Sequence, residues 1–392
     1  MNRRTLSGPR RKRKLRAAIF GTGFVGRLHV EGVRRLGTVE VVAIAASDPV
    51  KARRFADEVG VNRSSGDYRE LLSDPAIDAV HICTPNVLHF PMAKATMETG
   101  KHVLCEKPLA LTSAQAQKLI RIARERNLVN CTCHNLRYYP QVQNMRRLCE
   151  AGELGEIHSV QGTYSQDWLL YDTDYNWRIE SRLNGQSRTF ADIGTHWCDM
   201  VEHITGLRIT SLCADLNTFH QTRRKPKGSV ETFAGNALPP GDYNDIPIDT
   251  EDFGAVLLRL GDKACGAMTV SQIATGRKNR LFVEIYGTKG SFAWDGERPD
   301  ELWIGRRSSV NSLSIKDPTL MSEKARSYAD LPAGLSEGYD DTFKQLFRRF
   351  YQSIADRSVQ IEYPTFEDGL RQLHIIETVL RSSGKKAWMK VE

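Results

Sequence analysis

Between residues 16 and 135, short apolar runs alternate with longer stretches whose apolar positions recur every three or four residues. Residues 16–20, 39–45, 78–83, 102–105 and 128–133 have the length and apolar content of buried strands. Residues 27–36, 49–59, 87–99 and 113–126 read as the intervening helices, with Ala52, Phe55, Ala56 and Val59 setting the phase of the second. This alternation predicts a doubly wound parallel sheet. From Glu156 the pattern changes. Residues 156–165, 210–217, 251–260, 264–273, 281–286 and 291–294 alternate apolar and polar positions without regular helices between them, which predicts a large, mostly antiparallel sheet. Helices over 340–355 and 366–382 close the chain, and the Pro-, Gly- and charge-rich stretch 221–247 reads as a loop. No internal repeat is visible. The predicted architecture is an α/β domain over 16–135 and an α+β domain over 136–392.

Composition adjusts this picture in three places. A chain of 392 residues is too long for one ordinary core, in keeping with two domains. No apolar run approaches the roughly 18–20 residues of a membrane helix, so no membrane partner is expected. The formal charge of +8 comes from residues 1–16, where Arg3, Arg4, Arg10, Arg11, Lys12, Arg13, Lys14 and Arg16 meet no acid; the remainder holds 47 basic and 47 acidic residues. A nucleic-acid binder carries its excess on a folded face. Residues 1–15 therefore read as a disordered, solvated tail, and no nucleic-acid partner is expected. Arg3-Arg4 lacks the separate apolar segment of an export signal, because residues 17–26 are used by the first strand and its turn; the expected location is the cytoplasm. The eight cysteines are scattered through apolar stretches, and Cys131-Thr-Cys133 has no second pair at zinc spacing, so reduced thiols are expected.

The candidate chemistry lies at strand ends. Gly21-Thr-Gly23-Phe-Val-Gly26 follows a strand and opens a helix, the context in which glycines let backbone approach a pyrophosphate at a helix N-terminus. Gly21, Gly23, Phe24, Val25 and Gly26 are thus expected to bind a dinucleotide. An acidic residue ending the second strand would take the ribose 2′-hydroxyl. Here Ala46 and Ser47 stand at that place; Ser47 can bond a hydroxyl or a phosphate, and Lys51, Arg53 and Arg54 suit either a phosphate or a solvated helix face. NAD is the preferred cofactor and NADP the alternative. Thr84, Asn86, Glu106, Lys107 and Asn135 end later strands, where such sheets bind ligands. In the helix that begins near Asp192, Ile193, Trp197, Met200, Val201 and Ile204 form an apolar stripe, and Asp192, His196, Asp199 and His203 form a polar one. Spacing alone fits a solvated or capping stripe, and without a supporting ligand cluster no metal is expected.

The glycine fingerprint, Thr84-Pro85-Asn86-x-x-His89, Glu106-Lys107-Pro108 and Asp192-x-x-x-His196 together resemble the Gfo/Idh/MocA family of oxidoreductases, over essentially everything after the tail. Gly162-Thr-Tyr164-Ser-Gln166-Asp167-Trp168 and Trp177-Arg178 are similar to its levoglucosan dehydrogenase branch and other glycoside-oxidising members. One departure is visible: where many members have a glycine cluster before the Asp, this chain has Asn184-Gly185-Gln186-Ser187-Arg188.

The resemblance implies a Rossmann domain and hydride transfer between nicotinamide and a secondary hydroxyl of a sugar, glycoside or polyol. It makes Lys107, Asp192 and His196 the catalytic set. His196 would take the hydroxyl proton, Lys107 would stabilise the developing alkoxide and share the proton relay, and Asp192 would orient His196. Thr84, Pro85, Asn86, His89, Glu106, Lys107 and Asn135 would line the cofactor. Lys107, Asn135, Arg137, Gln166, Asp167, Trp168, Trp177, Arg178, Asp192 and His196 would line the substrate. An NAD-dependent glycosidase and a non-catalytic dinucleotide-sensing regulator are the alternatives, the latter disfavoured by retention of Lys107 and His196. A cis Lys107–Pro108 bond is expected, since Lys107 must leave its strand abruptly. A homodimer or homotetramer is expected through the open face of the second sheet, where residues 255–260 carry apolar groups on both faces.

Overall fold

The structure is a computed structural model that describes residues 13–228 and 243–392. Its first sheet contains β1 (Leu15–Phe20), β2 (Val39–Ala45), β3 (Arg63–Ser65), β4 (Ala79–Ile82), β5 (His102–Cys105) and β6 (Asn130–Thr132). All neighbouring strands are parallel, in the order β3-β2-β1-β4-β5-β6. Five of these strands were legible as apolar runs; β3, Arg-Ser-Ser, has no apolar signal to read. Helices Phe24–Arg34, Pro49–Glu58, His89–Glu98 and Ser113–Glu125 connect the strands. Their starts are chemically marked: Asp48 accepts from the Lys51 N–H ahead of Pro49, and Thr112 accepts from the Gln115 N–H. Strand order reverses between β1 and β4, which opens a crevice beyond their carboxyl ends.

The second half contains β7 (Ile157–Ser165), β8 (Ile209–Asn217), β9 (Thr222–Pro226), β10 (Tyr243–Pro247), β11 (Phe253–Leu260), β12 (Ala264–Ser271), β13 (Arg280–Gly287), β14 (Ser291–Asp295), β15 (Glu301–Gly305), β16 (Ser312–Ile315) and β17 (Met389–Lys390). Nine of them form one sheet in the order β16-β15-β14-β13-β7-β12-β11-β8-β17, antiparallel except for β7 beside β12. In β11, Val256, Leu258 and Leu260 are buried while Leu257 is 51% exposed, so one face covers the core and the other remains open.

Three expectations need correction. The stretch 221–247 is not simply a loop: β9 and β10 pair as an antiparallel arm, and residues 229–242 lie outside the described residues. Polar composition concealed β9, whose Arg223 is fully buried and donates to the carbonyls of Leu169 and Tyr171 and to Asp252. The basic segment becomes part of the fold earlier than residue 16, because Arg13 pairs with Asp78 at 2.6 Å and β1 begins at Leu15; the rest of that segment, residues 1–12, lies outside the described residues. Finally, chain order and packing diverge. Helix Tyr339–Ala355 follows the second sheet in sequence, yet its Phe343, Phe347 and Phe350 join the core formed by Ile19, Val30 and Val33. Gly32 permits this contact, since a Cβ there would lie 2.9 Å from the Phe347 ring. Among the described residues no helix is long and apolar enough to cross a membrane.

Candidate active site

The turn after β1 has the geometry of a phosphate cradle. Gly21 has φ +114°, and a Cβ on it would fall 2.4 Å from the Cys83 carbonyl oxygen. A Cβ on Gly26 would fall 2.3 Å from the Gly21 carbonyl oxygen, which lets the helix start close to the strand. Gly23 is different: nothing lies within 4 Å of its Cβ position, so space opens at the N-terminus of helix Phe24–Arg34, which no side chain caps. Phe24 and Val25 begin that helix, where the first-turn N–H groups have no intrahelical partner. At the end of β2, Ser47 is exposed. Lys51 meets Asp48 at 3.4 Å, Arg53 pairs with Asp57, and Arg54 lies 3.8 Å from Glu58. Each of these cations has an acidic neighbour, which favours the solvated-face reading over a 2′-phosphate site.

Thr84 and Pro85 follow β4, and several neighbouring polar groups are occupied within the protein. Asn86 donates to the backbone and side-chain oxygens of Asn184 at 3.0 and 2.9 Å. The ring nitrogens of His89 face the carbonyl oxygens of Pro108 at 2.7 Å and Thr84 at 2.9 Å. Asn135 donates to Thr342 at 2.8 Å. Arg137 grips Asp199 through two nitrogens and reaches Asp368 at 2.9 Å. These four side chains hold loops and helices together rather than standing open to a ligand. Local spacing could not reveal this, because most of their partners are far away in sequence.

Beyond β5 the Lys107–Pro108 bond is cis. The Lys107 ammonium donates to the Asp192 carboxylate at 2.8 Å and to its backbone carbonyl at 2.7 Å. Arg178 approaches the same carboxylate oxygen at 3.3 Å, and Gln272 donates to the other at 2.8 Å. Burial alone would raise the Asp192 pKa, but Lys107 and Arg178 outweigh it and hold the group well below the usual carboxylate range. Asp192 is therefore bonded to Lys107, Arg178 and Gln272, and His196 acts on it through charge rather than through the expected orienting hydrogen bond. The reason is local: Phe190–Gly194 forms a π-turn, and its wider winding removes Asp192 from the α-helical phase that i, i+4 spacing assumes. His196 sits in the following helix Thr195–Thr205 with its ring edge-on to His134 at 5.6 Å. Burial, then Lys107 and His134, pushes its pKa well below the ordinary imidazole value. The expected polar stripe is not solvated, since Asp199 meets Arg137 and His203 meets Gln143 and Arg146.

Just after β7, Gln166 donates to Asn279 at 2.9 Å and accepts from the Trp168 indole at 2.9 Å. Asp167 is drawn to Gly276 and Lys278. Arg178 covers the Trp177 ring at 4.6 Å, so that indole face is taken by a cation.

Residues 15–134 match a family model described as an oxidoreductase family with an NAD-binding Rossmann fold, and residues 142–293 match the Gfo/Idh/MocA C-terminal domain. The levoglucosan dehydrogenase of Pseudarthrobacter phenanthrenivorans is 31% identical over 395 residues, covering 96% of this chain and 98% of that protein. This chain belongs to the Gfo/Idh/MocA oxidoreductase family. The myo-inositol 2-dehydrogenase of Thermotoga maritima is 26% identical, covering 72% of this chain and 76% of that protein. The solved structure of levoglucosan dehydrogenase in complex with NADH and L-sorbose has a TM-score of 0.87 at 28% identity, covering 97% of this chain and all of the other.

Set against the Gfo/Idh/MocA pattern, the departure at 184–188 has a structural counterpart. Ser187 and the Arg188 backbone donate to Glu251, and the Arg188 guanidinium pairs with Asp252, all fully or nearly buried. Two residues of this Gfo/Idh/MocA site were missed in the sequence. Gln272 directly follows β12 in a stretch with no motif and is recognisable only through Asp192. His134 directly precedes Asn135, and its position at a strand end was a usable signal; it is 1% exposed, with both ring nitrogens unpartnered among the described residues.

Proposed function

We propose that this chain is an NAD-dependent dehydrogenase acting on a secondary hydroxyl of a sugar, glycoside or polyol, with Lys107, Asp192 and His196 as its reacting groups. The observation that carries the reading is the Lys107–Asp192 pair, 2.8 Å apart beyond β5, with His196 beside it. The residues at the β1 turn fit a dinucleotide, because Gly23 leaves room where Gly21 and Gly26 bring backbone close. Gly21, Gly23, Phe24, Val25 and Gly26 would hold the pyrophosphate, with Ser47 at the ribose and Thr84, Pro85, Glu106 and Lys107 toward the nicotinamide. When bound, the oxidised nicotinamide supplies the hydride acceptor.

Asp192 fixes the Lys107 ammonium, which donates to the substrate oxygen and stabilises negative charge there as the proton leaves. Burial keeps His196 uncharged near neutral pH, so its ring nitrogen accepts that proton. Gln166, Trp168 and Arg178 would contact the sugar. Residues 16–135 would bind the dinucleotide, and 136–392 would supply the substrate side and a homo-oligomer interface on the open sheet face around Ala255 and Leu257. Eight unpaired thiols support a cytoplasmic location.

The test is a panel of sugars and polyols followed at the reduced-nicotinamide absorbance. Net accumulation of NADH supports the reading. Turnover of a glycoside without net NADH would replace it with the glycosidase alternative, and no turnover across the panel would overturn it.

A further inference from the structure

Beneath the cofactor crevice lies a chain of hydrogen bonds that the proposed chemistry leaves unused. The Tyr351 hydroxyl lies 2.8 Å from His81 Nε2. His81 Nδ1 lies 2.9 Å from His29 Nδ1, and His29 Nε2 lies 3.0 Å from Glu106 Oε1. Both imidazoles are fully buried, and Tyr351 nearly so. The chain connects the helix of the glycine turn, β4, the end of β5 and helix Tyr339–Ala355, with Phe343 and Phe347 packed against the His29 ring.

With both imidazoles neutral, only one arrangement of protons satisfies all three bonds. A carboxylate can only accept, so His29 Nε2 donates to Glu106. His29 Nδ1 is then bare and accepts from His81 Nδ1, which leaves His81 Nε2 to accept from the Tyr351 hydroxyl. Every donor points toward Glu106. Burial, and then His29, keeps His81 well below its ordinary pKa, consistent with a neutral ring. Burial would raise the Glu106 pKa, but the His29 bond and the neighbouring Lys107 more than reverse this. His29, Glu106 and Cys133 each bring a possible metal-ligand atom within 4.8 Å of the others. However, His29 and Glu106 are bonded to each other, and burial pushes the Cys133 thiol up, away from the thiolate a metal would need.

We propose that the chain Tyr351–His81–His29–Glu106 is a positioning device that keeps Glu106 a charged, acceptor-only carboxylate at the nicotinamide end of the crevice, so that the site prefers the oxidised dinucleotide, whose nicotinamide ring is cationic, to the reduced one, whose ring is neutral. Glu106 immediately precedes Lys107, and its second oxygen accepts from the Lys107 N–H at 3.3 Å while its first is held by His29. A buried negative charge attracts a cationic ring and gains nothing from a neutral ring of the same shape. The ratio of the two affinities therefore reports the charge and its support rather than the fit of the pocket. The inference rests on the reading of the crevice given above.

The experiment titrates the full-length protein with NAD+ and with NADH separately, by quenching of intrinsic fluorescence. Glu106→Gln and His29→Leu should each weaken NAD+ by about tenfold, with NADH changed less than about twofold. Tyr351→Phe keeps the ring and removes only the terminal donor, and should shift the same ratio by about threefold. Where His29→Leu fails to fold, Tyr351→Phe and Glu106→Gln decide. Equal weakening of both dinucleotides, or an unchanged ratio, overturns the proposal. Failure of the unmodified protein to bind either dinucleotide would overturn the functional reading itself, and this inference with it.

Discussion

Two clusters of buried charge lie close together in the chain and use nearly the same residue types. In one, Asp192 meets Lys107 and Arg178; in the other, Asp252 meets Arg188 and Arg223. The difference is access. The Asp252 cluster is sealed, with all three side chains at 0% exposure, whereas Lys107 and Asp192 each retain 12%. A sealed pair meets no ligand and can only hold structure. Here it holds Arg188, two residues before the π-turn that carries Asp192, while neighbouring Glu251 accepts from the Phe190 N–H inside that turn. On the proposed function, one cluster builds the platform and the other presents chemistry from it. A small remnant of exposure, rather than the identity of the charges, separates the two roles.

The largest expected effect breaks the open cluster. Lys107→Ala should lower turnover by about a thousandfold while dinucleotide binding persists; steady-state kinetics with a parallel cofactor titration checks this, and full activity would end the assignment. Asp252→Ala should do the reverse. It strands two buried guanidiniums and should cost about 3–5 kcal/mol of stability, measured by urea unfolding; a loss below about 1 kcal/mol would remove the platform role. His196→Gln should reduce kcat/KM by about a hundredfold. A base works above its pKa, and this one is pushed down, so the unmodified enzyme should hold its plateau below pH 6.5 before activity falls in acid. The variant should lose that acid limb, and an unchanged pH profile would point to another base. Gln272→Leu leaves Asp192 its two cations but removes its neutral donor, with about a tenfold loss in kcat expected; unaltered kinetics would show that the cations alone position it. The smallest effect belongs to the basic segment: removing residues 1–12 spares the Arg13–Asp78 pair and should change neither activity nor cofactor affinity.

Much of the fold was visible in the chain as written. Strand and helix periods located β1, β2, β4, β5 and β6 to within two or three residues, and β7, β8 and β11 to β14 similarly. Elements that were missed carry no such period. Helix Pro140–Glu150 lies in a stretch not read for periodicity, and β9 buries an arginine where a reader expects an apolar residue. For the site, strand-end position drew attention to Glu106 and Lys107, and the family resemblance drew attention to Asp192 and His196. Neither could say which polar side chains would remain open. Asn86, His89, Asn135 and Arg137 sit at suitable places and are occupied by the protein.

By itself, then, the sequence determined the two-sheet plan and the glycine turn, because each is a local pattern of period or spacing, while the reactive set was implied by the family resemblance. The tertiary structure alone decided who binds whom. Lys107 reaches Asp192 across 85 residues and Gln272 reaches it across 80. His81 meets Tyr351 across 270, and helix Tyr339–Ala355 returns to complete the first core. A hydrogen bond forms at about 3 Å in space whatever the separation in sequence, so no local pattern records it. The π-turn at Phe190–Gly194 shows the same limit within one helix: a single wide turn redirected Asp192 from His196 to Lys107, Arg178 and Gln272 without changing a letter of the spacing.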